Sequence, residues 1–160
     1  MKIFIDRFRN NHGVTIVEIM VAITIILVAV IGAAGFRYYS ALDARKADVK
    51  ITAGRVGSLL LEGWIGTGGQ LTYDPVAEYG TDMTISVSAT GPAVPTGFTK
   101  LDSYQIVANR VNYYATLSYK DSTSTQAGEL NIFVAWLHGY QAGTVSSGDQ
   151  SVKLTGYINN

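Results

Sequence analysis

A single acid in an apolar segment near the N-terminus is the residue best placed to do chemistry. Glu18 is the fifth residue after Gly13 and the one charged residue of Val14–Phe36. A carboxylate on a helix in hydrocarbon costs roughly 2–4 kcal/mol, so it requires a partner. If a peptidase cuts after Gly13, the free α-amine of Val14 in one chain could neutralise Glu18 of another. That pair would fix the register between neighbouring helices. The alternative is that Glu18 lies among the lipid headgroups of a lone signal anchor.

The order of charge and hydropathy indicates which side of a membrane each part occupies. Residues 1–13 contain three bases and one acid, and a basic segment before an apolar run tends to stay cytoplasmic. A secretory signal has its apolar core before the cleavage site, whereas here the apolar run follows Gly13. Cleavage there would leave the segment on the protein as an anchor. As a helix the run spans roughly 35 Å, enough to cross a bilayer.

Two features inside the apolar run bear on its helix. Thr15 and Thr24 are each expected to return the hydroxyl to a backbone carbonyl one turn back. Gly32 and Gly35 interrupt the run near its end, and glycine costs about 1 kcal/mol relative to alanine inside a helix. They predict either a soft segment where the helix bends or opens, or a close-packing patch against another helix. Both can hold.

The chain after Phe36 predicts a helix that continues with one apolar stripe. Val49, Ala53, Val56, Leu60 and Trp64 are spaced by four, three, four and four residues, which is typical of an amphipathic helix. Proline does not occur before Pro75. We therefore expect one helix from about Val14 to Glu62, ended by the glycines at positions 63, 66, 68 and 69.

Strand patterns follow the helix. Residues 83–89 alternate with period two, residues 129–137 form another strand, and Val152–Ile158 contain a last one. Residues 104–108 and 111–120 read as one bent strand with a bulge near Asn109–Arg110. Residues 91–97, 121–128 and 139–150 read as connections. The predicted class is α+β: a long N-terminal helix packed on a small antiparallel sheet.

Little in the chain predicts catalysis or a cofactor. Cysteine is absent, and the one histidine outside residues 1–13 is His138, so we expect no enzyme and no histidine or cysteine metal site. Asp74, Glu78 and Asp82 lack the spacing of a calcium loop. Gly66–Gly69 lacks the Lys-Ser/Thr of a phosphate loop and reads as a helix stop.

Nucleic acid is not an expected partner. Four cations of the strand region could gather into a basic patch: Lys100, Arg110, Lys120 and Lys153. The chain after Gly13, however, has nine bases against eleven acids, a balance that does not favour binding to a polyanion.

The segment Gly13-Val-Thr-Ile-Val-Glu18-Ile-Met-Val-Ala-Ile23 resembles the class III signal of type IV pilins and type II secretion pseudopilins. The resemblance covers about residues 8–40. It implies that a prepilin peptidase cleaves after Gly13 and methylates Val14, and that Glu18 is needed for assembly. It also implies the pilin fold, with a leader over 1–13, a transmembrane half of the helix over 14–36, an amphipathic half over 37–63, and a globular β domain over 64–160.

The chain departs from the family's pattern at three points. The first residue after the cleavage site is Val14 where the family usually has phenylalanine. The proline that many pilins carry in the apolar helix is absent, and Gly35 stands close to its place. The cysteine pair of many major pilins is also absent.

A weaker resemblance concerns the C-terminal end. Glu129–Trp136, a loop and Ser151–Ile158 resemble the closing strand pair of minor pilins and smaller pseudopilins, although a plain hairpin gives the same pattern. We rank a minor pilin of a type IV pilus first, a minor pseudopilin of type II secretion second and a major pilin third. An anchored extracytoplasmic binding module or enzyme is the alternative from another class.

The leading interpretation implies partners and a location. The partners are other pilin or pseudopilin subunits, the prepilin peptidase, an inner-membrane assembly platform, and membrane lipid before assembly. The precursor would cross the inner membrane once, with a cytoplasmic N-terminus and a periplasmic C-terminal domain. It would then move into a pilus or pseudopilus at the cell envelope or surface.

Overall fold

The computed structural model describes residues 15–120, 127–137, 143–145 and 149–158. The chain divides into two compact units, Met1–Ala44 and Arg45–Asn160. Its elements are helices α1 (Ile16–Gly66) and α2 (Pro75–Tyr79) and strands β1 (Thr84–Val87), β2 (Thr99–Ala108), β3 (Val111–Lys120), β4 (Glu129–Trp136) and β5 (Gln150–Tyr157). The predicted turn at 121–128 and loop at 139–150 lie largely outside the described residues.

The predicted apolar stripe of α1 is buried, as its spacing requires. Ala53, Leu60 and Trp64 are fully inaccessible, and Val49 and Val56 are each 6% exposed. The helix ends at Gly66, slightly beyond the predicted end at Glu62. The N–H of Gly68 donates to the Ile65 carbonyl at 2.8 Å and that of Gly69 to the Trp64 carbonyl at 2.9 Å. Both glycines have φ near +70°, so they cap the helix in the left-handed conformation that glycine adopts cheaply.

The five strands form one antiparallel sheet in the order β1-β2-β3-β4-β5. Every second residue of the central strands faces the apolar stripe of α1, because side chains alternate across a strand. The inward set includes Ile106, Tyr113, Leu117, Ile132 and Val134, all fully buried. The predicted α+β fold, a long helix packed on a small antiparallel sheet, is confirmed.

The bulge predicted near Asn109–Arg110 is wrong, because the chain reverses there. Ala108 pairs with Val111, and the two residues between them have φ of 51° and 63°. This is a two-residue hairpin turn of the type that requires positive φ at both positions. Arginine in that conformation costs about 1 kcal/mol more than glycine, and no glycine marks the turn in the sequence. The irregularity in β2 lies instead between Lys100 and Asp102.

The outward face of β3 is also buried, which the sequence did not predict. The loop after β1 covers it so closely that a Cβ at Gly91 would lie 2.5 Å from the Thr116 hydroxyl oxygen and 2.7 Å from that of Ser103. Those two hydroxyls hydrogen-bond each other at 2.9 Å. A polar layer therefore lies under the loop, paired as buried polar groups must be.

Helix α1 and strand β5 interlock through two glycines. A Cβ at Gly57 would lie 2.6 Å from Leu154 Cδ1, and a Cβ at Gly156 would lie 3.0 Å from Leu61 Cδ1 and 3.1 Å from Ile65 Cδ1. Leu154 of β5 thus packs against Gly57 of α1, and Leu61 and Ile65 of α1 pack against Gly156 of β5. The absence of a side chain lets helix and strand approach closely.

An aromatic group closes the core beside the end of α1. The Trp64 and Tyr73 rings stack with centroids 6.0 Å apart, and Trp64 Nε1 donates to the Gln70 carbonyl at 2.8 Å. Burial, and next the nearby Tyr79, raise the pKa of Tyr73 well above its ordinary value. Burial, and next the charge of Asp74, raise the pKa of Tyr104 in the same direction.

These two phenols predict an alkaline limit to the stability of the domain. Tyrosines of the unfolded chain ionise near pH 10, whereas Tyr73 and Tyr104 stay protonated in the fold. The free energy of unfolding should therefore not depend on these groups below about pH 10 and should fall as pH rises further. Unfolding followed against pH by tyrosinate absorbance checks this. Tyr73→Phe should weaken the dependence, and an unchanged dependence in that variant would contradict the assignment.

Candidate functional site: the start of helix α1

Helix α1 begins at Ile16, and the residue before it, Thr15, is hydrogen-bonded to Glu18. The Glu18 N–H donates to the Thr15 hydroxyl at 3.3 Å, and the Ile19 N–H donates to the Thr15 carbonyl at 3.2 Å. Thr15 is therefore the N-cap residue, whose side chain satisfies a backbone donor that the helix leaves open. The carbonyl one turn before Thr15, to which its hydroxyl was expected to donate, lies outside the described residues. The same expectation for Thr24 is confirmed, with a bond of 2.8 Å to the Met20 carbonyl.

The capping role of Thr15 had a sequence signal. Thr15-Ile-Val-Glu18 has the Ser/Thr-x-x-Glu spacing of a capping box, in which the acid stands at the third helical position. Glu18 is the one acid in the first turn of α1. A negative charge there also complements the positive end of the helix dipole. The site of Glu18 thus suits a carboxylate before any partner chain is considered.

The apolar part of α1 has no cover within the described residues. Its large side chains are at least 47% exposed, with Ile16 at 78% and Phe36 at 74%. The helix is long and apolar enough to cross a membrane, and its most apolar stretch of 18 residues is not buried. A surface of this kind is not stable in water and must lie against lipid or other helices. It is compatible with single-pass membrane anchoring.

Glu18 lies on this exposed apolar surface. Its side chain is exposed, and its carboxylate has no partner among the residues that the structure describes. Gly13 and Val14, the proposed cleavage and methylation positions, lie outside the described residues.

Gly32 and Gly35 lie within an unbroken helix. Ile16–Gly66 is one continuous α-helix, so the helix does not open at either glycine. A Cβ at either position would meet no atom within 4 Å. Their lack of a side chain is therefore not required by packing within the chain.

Asp74 and the glycines after α1, which were considered as possible ligand sites, cap the ends of helices. Asp74 is the N-cap of α2 and accepts from the Val76 N–H at 3.0 Å, and Gly66–Gly69 end α1 as predicted. Among the described residues no group of three or more histidine, aspartate or glutamate side chains could hold a metal ion. His138 lies outside them.

Of the four cations considered as a basic patch, Arg110 lies apart from Lys100 and Lys120. Arg110 lies at the tip of the β2–β3 hairpin, while Lys100 and Lys120 lie at its open end, where Lys100 pairs with Ser118 and Lys120 with Glu129. Lys153 lies on β5 with its ammonium 5.9 Å from the Phe98 ring centroid.

Comparison with known proteins bears on the same segment. Residues 8–34 match the protein-family model described as the prokaryotic N-terminal methylation motif. No curated protein and no solved structure matches the chain. The matched family is structural rather than enzymatic. The chain therefore carries the N-terminal signal of type IV pilins and pseudopilins, on the segment that holds the capped start and the exposed apolar part of α1.

Proposed function

We propose that this chain is the precursor of a structural subunit that joins a type IV pilus through its N-terminal helix, as a minor pilin. The observation that carries the proposal is the exposed apolar surface of α1 directly behind a methylation motif. Such a helix needs lipid around it while the subunit is in the membrane, and neighbouring helices once the subunit is in the fibre. The C-terminal unit has its own core.

The proposed mechanism follows the chain. A prepilin peptidase removes residues 1–13 and methylates Val14, while residues 14–36 hold the subunit in the inner membrane. Residues 37–63 and the β domain over 64–160 stand on the periplasmic side. An assembly platform extracts the subunit into a fibre, where helix contacts replace lipid contacts. The apolar surface stays out of water throughout.

Glu18 is proposed to set the register in the fibre. Its carboxylate would meet the α-amine of Val14 in a neighbouring subunit, in surroundings where an unpaired charge is costly. The exposed position of Glu18 in the first turn of α1 leaves it accessible to such a partner.

Gly32 and Gly35 are proposed to let α1 bend or locally open as it packs in the fibre. Alanine fits at both positions without a clash and stiffens a helix by about 1 kcal/mol per site. We expect the Gly32→Ala/Gly35→Ala variant to be cleaved normally but to enter fibres poorly. Incorporation at the wild-type level would contradict the flexible-segment proposal.

Mass spectrometry of the protein from its native membrane tests the processing. We expect loss of residues 1–13 and a methyl group on the Val14 amine. An intact leader would instead support an anchored binding module. Recovery of the subunit with sheared filaments supports the pilus, while recovery only with a secretion apparatus supports the pseudopilin alternative.

A further inference from the structure

Two clefts flank the first helical residues of the C-terminal unit. The first, of about 160 Å³, lies between Arg45 and Asp48 of α1 and the hairpin tip Asn109–Arg110. The second, of about 380 Å³, is lined by Lys46, Lys50 and Trp136, among others. We name the two clefts together the helix-entry surface. Its charged residues are Arg45, Lys46, Asp48, Lys50 and Arg110.

Basic residues outnumber acidic ones on this surface. Residues 45–160 contain eight cations and nine carboxylates. Four of the cations line the two clefts, and Asp48 is the one carboxylate that does so. The other described carboxylates and cations are not in either lining, so the two clefts together carry a net charge of +3 in a unit whose residues sum to −1. A cationic cleft of this kind favours anionic groups.

Arg110 occupies its place at a cost in backbone strain. Its φ of 63° is in the left-handed region, where an Asn-Gly pair would form the same turn without strain. Strained positions are kept where the side chain has a use. The Arg110 side chain is exposed beside the first cleft and contributes little to the core, so its use is on the surface.

The neighbouring sequence points to a membrane as the source of the anion. Arg45 comes nine residues after Phe36, the last residue of the apolar run. Tyr38 and Tyr39 stand between them, 63% and 68% exposed, with ring centroids 5.7 Å apart. Exposed tyrosines beside an apolar span are typical of the lipid–water interface. Arg45, Lys46 and Lys50 are thus the next cations after Arg37 along the chain from the apolar run.

We propose that the helix-entry surface binds the phosphate groups of anionic lipids in the membrane that anchors the chain. Lysine and arginine near such a surface each contribute about fivefold in affinity. Bound headgroups would hold the C-terminal domain against the membrane until extraction. The inference rests on the membrane anchoring of the proposed function but not on fibre assembly.

Hydrogen exchange of the full chain in lipid nanodiscs tests the inference. One chain per disc is compared in phosphatidylcholine alone and in phosphatidylcholine mixed with phosphatidylglycerol. We expect amides of residues 45–50 and 107–111 to exchange about fivefold more slowly with the anionic lipid. High salt should remove the difference, because it screens exposed charges. Equal exchange in both lipids would overturn the inference.

Matched variants separate cation binding from folding. Arg110→Gly relieves the turn strain, so it should keep or raise the thermal midpoint while losing most of the lipid-dependent protection. The Arg45→Gln/Lys50→Gln variant should also lose most of the lipid-dependent protection. Arg55→Gln/Lys100→Gln removes two exposed cations outside both clefts and should keep it. Equal protection in all three variants would overturn the assignment to this surface.

Other outcomes would assign the helix-entry surface to a different ligand or count against membrane anchoring. Protection in neutral discs that requires two chains would assign the surface to a second copy, and protection by inorganic phosphate in neutral discs would assign it to a free anion. Either result overturns the membrane assignment. Failure of the chain to enter discs counts against the anchoring in the proposed function, whereas uniform exchange of an inserted chain counts against this inference alone.

Discussion

Glu18→Ala is expected to leave membrane insertion and removal of residues 1–13 intact while blocking entry into fibres. The variant leaves the Val14 amine of a neighbour without its counter-charge in an apolar packing environment. Breaking a buried ion pair in this way costs about 3 kcal/mol, which is roughly a hundredfold in an equilibrium. Quantifying the subunit in sheared fibres against the membrane pool measures the loss.

Two further variants isolate the charge of Glu18. Glu18→Gln keeps the size and much of the hydrogen-bonding capacity of the side chain, so it should fail nearly as badly as alanine. Ile25→Ala trims another exposed side chain of the same apolar surface and should have a much smaller effect. Normal incorporation of Glu18→Gln would refute the amine–carboxylate register.

Gly57→Val is expected to destabilise the C-terminal domain by about 2–3 kcal/mol, because overpacking forces neighbours from their positions. Even a Cβ at Gly57 would lie 2.6 Å from Leu154 Cδ1 and 3.3 Å from Val134 Cγ2. Both atoms belong to side chains that fill the space between helix and sheet. Urea unfolding of the full chain in detergent, followed by tryptophan fluorescence, measures the change.

Gly54 supplies the matched control for Gly57. It lies one turn earlier on α1, and a Cβ there would meet nothing within 4 Å. Gly54→Val should therefore change stability by no more than about 0.5 kcal/mol, the difference in helix propensity. Adding Leu154→Ala to Gly57→Val should cost less than the two single changes together. Equal costs at positions 54 and 57 would contradict the interlock.

The elements were largely predictable where their signals are local. The Val49-to-Trp64 stripe identified the buried face of α1 because helical periodicity and burial are two aspects of one geometry. The strands around Ile132 and Leu154 followed from period-two alternation in the same way. Helix ends were less well placed, since the cap at Gly68 and Gly69 extends α1 slightly beyond the predicted end at Glu62.

The sequence analysis missed a hairpin turn and a helix cap. The hairpin at Asn109–Arg110 looked like a bulge because its positive φ values are imposed by strand register, through Ala108 and Val111, and not by a glycine. The Thr15 cap was missed although its capping-box signal is local. Reading it required weighing the hydroxyl as an acceptor as well as a donor.

The sequence by itself determined the processing signal, the apolar span and the acid within it. Each is a matter of residue type and spacing over a few turns, from Gly13 to Phe36. Only the tertiary structure decided that Gly91 lets a loop lie on the outer face of the sheet, that Gly57 receives Leu154, and that Arg45 and Arg110 share a cleft. These pairs are far apart in sequence, and what brings them together is the packing of α1 on an ordered sheet.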